Sequence, residues 1–222
     1  MENQSFIDSL LREIIQPGVD DLMNIRYFTE LRQGKLSTKR LQGFALQHYL
    51  HNIAVCKGLA LSMVKNAHHS DLYNHFLYQL SEEKDHPDLA KKFGFALGLK
   101  EEDFHNAVPV FECIAHTGAV IRGMFLGSPP ESRAGALVNE TMVCRYSEEF
   151  DSALEKHYGL GDDAREFFIV HSKVDKEHTA MAAEAIARYA GSAQDQFLVR
   201  EAARNMVRFK IAKFEGIHKA YS

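Results

Sequence analysis

The chain has no tryptophan, and only three cysteines and five prolines in 222 residues. Cys56, Cys113 and Cys144 are far apart, each in apolar or mixed surroundings. They read as reduced, mostly buried thiols of a cytoplasmic protein, not as a disulfide frame. No Pro/Ser-rich linker divides the sequence, so residues 1–222 read as one domain. No apolar run approaches the ~20 residues needed to cross a bilayer. The start, Met1-Glu2-Asn3-Gln4, lacks the basic and apolar regions of a signal peptide. A basic excess is also missing. A net charge of −4 argues against sequence-independent binding to nucleic acid, which needs a positive face. Strand-like alternation bounded by turn pairs is absent, which leaves an all-α chain.

What is present is helical periodicity, 45% hydrophobic residues and 12 histidines. Phe6, Leu10, Leu11, Ile14 and Ile15 mark a first helix, expected to break at Pro17-Gly18. A second runs from near Val19 to about Leu31. Ser37 caps a long apolar helix, Thr38 to about Asn66, carrying His48, Tyr49 and His51. The next helix runs from Asp71 toward Asp85, where Pro87 forces a bend or restart. Further helices are expected over 88–97, 109–126, 131–157, 162–189 and 193–220, with a helical turn near Glu101. The whole reads as a bundle of seven or eight helices. Arg200, Arg204 and Arg208 read as a solvated face.

The chemistry concentrates in Phe167 to His178. An α-helix turns by about 100° per residue, so His171, Asp175 and His178 fall within roughly 60° of one another. Two imidazoles and a carboxylate on one stripe form half of a metal site. Asp175 can also serve simply as an i,i+3 or i,i+4 partner of either histidine. The other half must come from elsewhere. Glu83 and His86 form a Glu-x-x-His pair, with Glu82 the alternative carboxylate because of the Pro87 break. Glu140 sits in the mostly uncharged run Ala134 to Cys144, where a carboxylate must be paired, protonated or bound to a cation. Its bland reading is a partner for Arg145 or Lys173. Three imidazoles and three carboxylates suit Fe(II), Mn(II) or Zn(II). Six such ligands exceed what one tetrahedral ion needs and fit two metals bridged by a carboxylate. Tyr49, His48 and His51 stand either in the pocket wall or in plain helix packing.

This pattern resembles the heme-oxygenase-like di-iron oxidases, relatives of the TenA thiaminase and PqqC cofactor-synthesis proteins. The residues that carry the resemblance are Arg32 to Ser37 with Gln42, Phe44, Tyr49, Leu50 and His51, then Glu82-Glu83 with His86-Pro87 and Phe93 to Gly98. Glu140, His171, Asp175 and His178 follow in the family's order. TenA and PqqC proteins share the fold without this ligand set. The resemblance implies a pair of irons per chain, the second often weakly held, and O2 as co-substrate. Glu83, His86 and His171 would hold one iron, Asp175 and His178 the other, and Glu140 would bridge them. Glu140 and Tyr49 are the candidate catalytic residues. The substrate would be a small amine, amino acid or fatty acid, undergoing N-oxygenation, desaturation or C–C cleavage. The implied partners are that substrate, an external electron donor and a second copy of the chain in a homodimer. The alternative is a metal-free TenA-like hydrolase or PqqC-like enzyme, with the same side chains as general acids and bases. One family member, a para-aminobenzoate synthase, consumes its own tyrosine and lysine. Here Phe28 and Phe44 take the places of reactive tyrosines, Tyr27 lies one residue out of register, Asn139 replaces the tyrosine before Glu140, and Phe150 replaces the lysine. An external substrate is therefore expected.

Overall fold

In the computed structural model the backbone is described over residues 2–222 and the side chains over residues 4–172 and 179–222. The described residues form α-helices and one π-helical stretch, with no strand among them. The helices are α1 (Glu2–Leu10), α2 (Gln16–Asn24), α3 (Arg26–Arg32), α4 (Thr38–Lys65), α5 (Ser70–Glu83), α6 (His86–Ala96), α7 (Glu101–His105), α8 (Phe111–Leu126), α9 (Pro129–Tyr158), α10 (Asp162–Tyr189) and α11 (Ala193–Ala220). That is more than the seven or eight expected, because α1 and α2 count separately across the π-helical stretch and the short α3 and α7 are included. Among the described residues no helix is long and apolar enough to cross a membrane.

The first expected break is corrected by the structure. Pro17-Gly18 does not end a helix. The π-helical stretch Leu11–Ile15 joins α1 to α2 without interruption, and Pro17 stands in the first turn of α2. A proline clashes with the carbonyl four residues before it. The wider π turn covers that position, Glu13, and relieves the clash. The chain turns instead at Ile25, whose extended ψ of 160° separates α2 from α3.

The long elements follow their capping chemistry. The Ser37 hydroxyl accepts from the Arg40 amide at the start of α4. Ser128 with Glu131 and Ser192 with Asp195 form capping boxes for α9 and α11. Gly159, at φ +64°, ends α9 in the left-handed region and lets α10 fold back along it. α9 packs most extensively on α10 and then on α11, while α4 lies against α6, α5 and α8.

The core is strongly aromatic. Phe28, Phe44, Tyr146, Phe150, Phe168 and Phe214 are all nearly or fully buried. Phe150 stacks on Phe168 at 4.4 Å and lies 4.8 Å from Phe44, so α4, α9 and α10 meet through ring contacts. Such pairs add about 0.5–1.5 kcal/mol each beyond their buried area. This plug supports the long helices on one side of the polar cavity described next.

Candidate metal centre

The cavity lies between α4, α5, α6, α8, α9, α10 and α11. It is narrow, about 50 Å³, and its walls include Glu83, His86, Glu140 and His171. Four of the six expected ligands thus meet in one enclosed space. The other two, Asp175 and His178, lie outside the described side chains.

Each of the four is placed by a recognisable local cause. Pro87 forces α5 to end at Glu83 and α6 to begin at His86, so the pair spans a tight turn. Glu82 is exposed and Glu83 is partly buried, which favours Glu83 as the donor. Glu83 Oε2 and His86 Nδ1 form a short charged hydrogen bond. Burial disfavours the charged imidazole, but the charge and hydrogen bond of Glu83, helped by Glu140 and Glu82, outweigh it. The His86 pKa is raised.

His171 is buried, and its Nδ1 donates to the Phe167 carbonyl at 2.6 Å. That bond fixes the tautomer: Nε2 keeps its lone pair, the arrangement found in metal-binding imidazoles. The His86 and His171 rings lie 4.5 Å apart. Glu140, 4% exposed, comes from the middle of α9. It is not an ion-pair partner of Arg145, which binds Glu148 and Glu149 on the surface.

Behind Glu140 stands a polar chain that the sequence did not reveal. Gln79 Nε2 donates to Glu140 Oε1 at 3.3 Å, and Arg133 Nη1 donates to Gln79 Oε1 at 3.4 Å and to His75 Nε2 at 2.8 Å. Arg133 is 1% exposed and lies over the Phe76 ring. Burial lowers its pKa to about 10, against the opposing pull of Glu140, and it remains a cation. A buried guanidinium beside a carboxylate set moderates the negative charge that a dication would meet.

Tyr49 is misplaced for the catalytic role expected of it. It is absent from the cavity walls and packs on Phe104 at 5.2 Å, with the Lys91 ammonium over its ring. The cause is helical geometry: a residue next to His48 is rotated by about 100°. His48 and His51 do line the cavity.

Two carboxylates and two imidazoles are a donor set for Fe(II), Mn(II) or Zn(II). Among the described residues no three such donors already converge on one point. A metal here must compete with the Glu83–His86 and Gln79–Glu140 contacts. The enclosed cavity, the His171 tautomer and the donor chemistry together fit iron.

The fold defines a heme-oxygenase-like helical protein, and its cavity is lined by nitrogen and oxygen donors. The chain belongs to the family described as iron-containing redox enzyme, whose sequence profile matches residues 42–210. It is 26% identical over 216 residues to the 4-aminobenzoate synthase of Nitrosomonas europaea, covering 90% of this chain and 87% of that one. Among solved structures it is similar to a TenA homologue from Pseudomonas syringae pv. tomato, with a TM-score of 0.83 at 16% identity, covering 96% of this chain and 92% of that one. A domain of unknown function with a heme oxygenase-like fold from Shewanella denitrificans gives a TM-score of 0.80 at 18% identity, covering 99% and 90%.

Proposed function

We propose that the chain is an O2-using, non-heme iron oxidase acting on a small molecule, an amine, amino acid or fatty acid, by N-oxygenation, desaturation or C–C cleavage. The observation that carries this reading is the meeting of Glu83, His86, Glu140 and His171, from four helices, in one enclosed cavity. Those residues would hold iron, with Asp175 and His178 completing the set by family resemblance. Bound iron supplies O2 activation and a template for substrate.

The protein residues do the rest. The Phe167 carbonyl holds His171 in its ligating tautomer. Gln79 orients Glu140 through one of its oxygens. Phe167, Val55, Met124 and Val143 line the cavity and limit the entry of water. The His86–Glu83 pair can hold one proton between His86 Nδ1 and the Glu83 carboxylate.

The substrate is external. Phe28, Phe44 and Phe150 are fully packed rings without a phenol or amine to donate. Tyr27 is buried in the same cluster, its hydroxyl donating to the Arg40 carbonyl at 3.4 Å. This chain therefore differs at those positions from a protein that would build 4-aminobenzoate out of its own side chains.

The test is to load the full chain with Fe(II) without oxygen, count bound iron, then mix with O2 and record the visible spectrum. About two irons per chain, the complement of a carboxylate-bridged helical site, and a transient long-wavelength band are expected. Both should vanish in Glu140→Ala and His171→Ala. Iron at background in a folded wild-type protein would sink the reading and favour a metal-free, TenA-like hydrolase.

A further inference from the structure

We propose that Asn52, Ser132 and Asn139 form a subsite of this cavity for the polar head of an α-amino acid, a group that donates and accepts hydrogen bonds at once. The proposal deepens the reading above by choosing among its substrate classes, and it rests on that reading for the reaction.

All three side chains line the cavity. Asn52, 4% exposed, comes from α4, one turn beyond His48. Ser132, 7% exposed, and Asn139 come from α9, two turns apart on one face. Gly135 and Ala136 lie between them and keep that wall low. Asn52 Nδ2, Ser132 Oγ and Asn139 Oδ1 are buried, and none of them meets a hydrogen-bond partner among the described residues. Buried polar atoms without a partner are uncommon, and three around one small cavity call for a ligand.

Local chemistry does not account for them. A helical serine or threonine commonly bonds back to the carbonyl four residues before it. Thr141 on the same helix does so, to Leu137 at 2.7 Å, and Ser62 on α4 does so, to Gly58 at 2.8 Å. Ser132 does not. Gln79, the other side-chain amide of the cavity, is paired at both ends, with Glu140 and with Arg133. The unpaired atoms also differ in kind. Asn52 Nδ2 is a donor and stands beside His48 and His51, while Asn139 Oδ1 is an acceptor and precedes Glu140. A carboxylate only accepts, so a fatty acid would leave Asn139 unpaired. An ammonium only donates, so a simple amine would leave Asn52 unpaired. An α-amino acid carries both groups. Its carboxylate suits the imidazole side, its ammonium suits the Glu140 side, and the Ser132 hydroxyl can serve either.

The space agrees with a head of this size. One water needs about 10–15 Å³, so a cavity of about 50 Å³ admits a group of a few heavy atoms. The cavity shares Gly123, Gly135 and Met206 with an outer one of about 310 Å³ between α8, α9 and α11. A Cβ on Gly123 would meet nothing within 4 Å, and one on Gly135 would meet only the Met206 methyl at 3.4 Å. Glycine inside a helix is destabilising relative to alanine, and no close helix contact requires it at these two places. Its effect there is an open neck, through which the side chain of the amino acid would reach the outer cavity.

The experiment titrates the full chain calorimetrically with L-norvaline, pentanoate, butylamine and pentanamide, first with chelator present and again with Fe(II) under argon. Norvaline should bind about tenfold or more tightly than each of the others, the usual worth of a charged hydrogen bond. Asn139→Leu should remove its advantage over pentanoate, and Asn52→Leu its advantage over butylamine. Ser132→Ala should weaken norvaline binding severalfold. Each change replaces an unpaired buried group by an apolar one, so the variants should keep the wild-type circular dichroism. Binding of none of the compounds in either condition, the result if water alone completes these groups, would overturn the proposal. So would equal binding of norvaline and pentanamide, or a norvaline preference that survives in the folded Asn52→Leu, Asn139→Leu and Ser132→Ala proteins. The preference together with failed iron uptake would keep the subsite and discard only the oxidase, and iron uptake without the preference would do the reverse.

Discussion

Lys213 carries the clearest energetic consequence of a single side chain. The described groups around it are His48 and His51 from α4, the Cys113 thiol and His116 from α8, and the rings of Phe44 and Phe214 at 5.9 Å. Burial pulls its pKa from 10.5 down to about 8. Between those values the unfolded chain holds a proton that the folded chain has released, so folding stability rises with pH across that window. Below pH 8 both states are protonated and the full cost of the buried ammonium is felt, on the order of 3 kcal/mol. Lys213→Met keeps the bulk and removes the charge. The variant should be more stable than the wild type at pH 7 by about that amount, with the gap closing as pH approaches about 10.5. Urea unfolding of both proteins at pH 7, 9 and 10 measures it, and parallel stability curves would refute the account.

The same residue scale separates what was legible in the sequence from what was not. Glu140 stood out as a lone carboxylate in an uncharged run, and His171 as one of a helical stripe. Both signals are local. Gln79 carries no charge and looks like any helix-surface residue, so its contact with Glu140 is visible only once α5 and α9 are packed. Lys210 and Lys213 left a faint trace: they occupy the stripe of Val207, Phe214 and Ile217, where apolar residues are expected. A lysine on an apolar stripe is more often read as a stem lying along the surface.

At the scale of elements, the helix bounds of α4, α10 and α11 were readable because caps and breakers mark them, and the π-linked entry of α1 into α2 was not. A proline followed by glycine is a breaker by composition, and only the register of the turn before it decides otherwise. A close approach of elements supplies a further prediction. Gly43 on α4 lies under Tyr221, just past α11, and a Cβ there would sit 2.4 Å from the tyrosine ring. Tyr221 cannot easily yield, because its hydroxyl accepts from Gln47 Nε2 at 2.9 Å, and Gln47 Oε1 in turn accepts the Val110 amide. One small side chain thus lets α4, the start of α8 and the chain's last turn meet. Gly43→Ala should destabilise by about 1–3 kcal/mol, the usual cost of overpacking. In Tyr221→Ala the same change should cost less than about 0.5 kcal/mol, because the clash is gone. Denaturant midpoints of the four proteins in that cycle decide it, and simple additivity would mean that the contact is not what makes glycine necessary.

For the whole molecule, the telling feature is an apolar face that the fold leaves uncovered. α4 and α8 present Leu61, Val64, Phe111, Ile114, Phe125 and Leu126, each at least 48% exposed, and the turn before α8 adds Val108 at 75%. Between them runs a groove of about 660 Å³ whose walls are almost wholly apolar. Contiguous apolar surface on this scale marks an interaction site, since single exposed hydrophobics are common and clustered ones are not. We expect a second copy of the same face as the cover, because two helices lying side by side can form a self-complementary contact with twofold symmetry. A charge at the centre of such a face would be desolvated without a partner. Ile114→Glu is therefore expected to convert a dimer into a monomer in sedimentation equilibrium, while Arg208→Glu, on the exposed side of α11, should leave the mass unchanged. The groove shares His51 with the polar cavity, so dimerisation would also cover the outer side of that cavity's wall. If wild type and Ile114→Glu both sediment as monomers, the face is open in solution, and the groove becomes an approach by which apolar substrates reach His51.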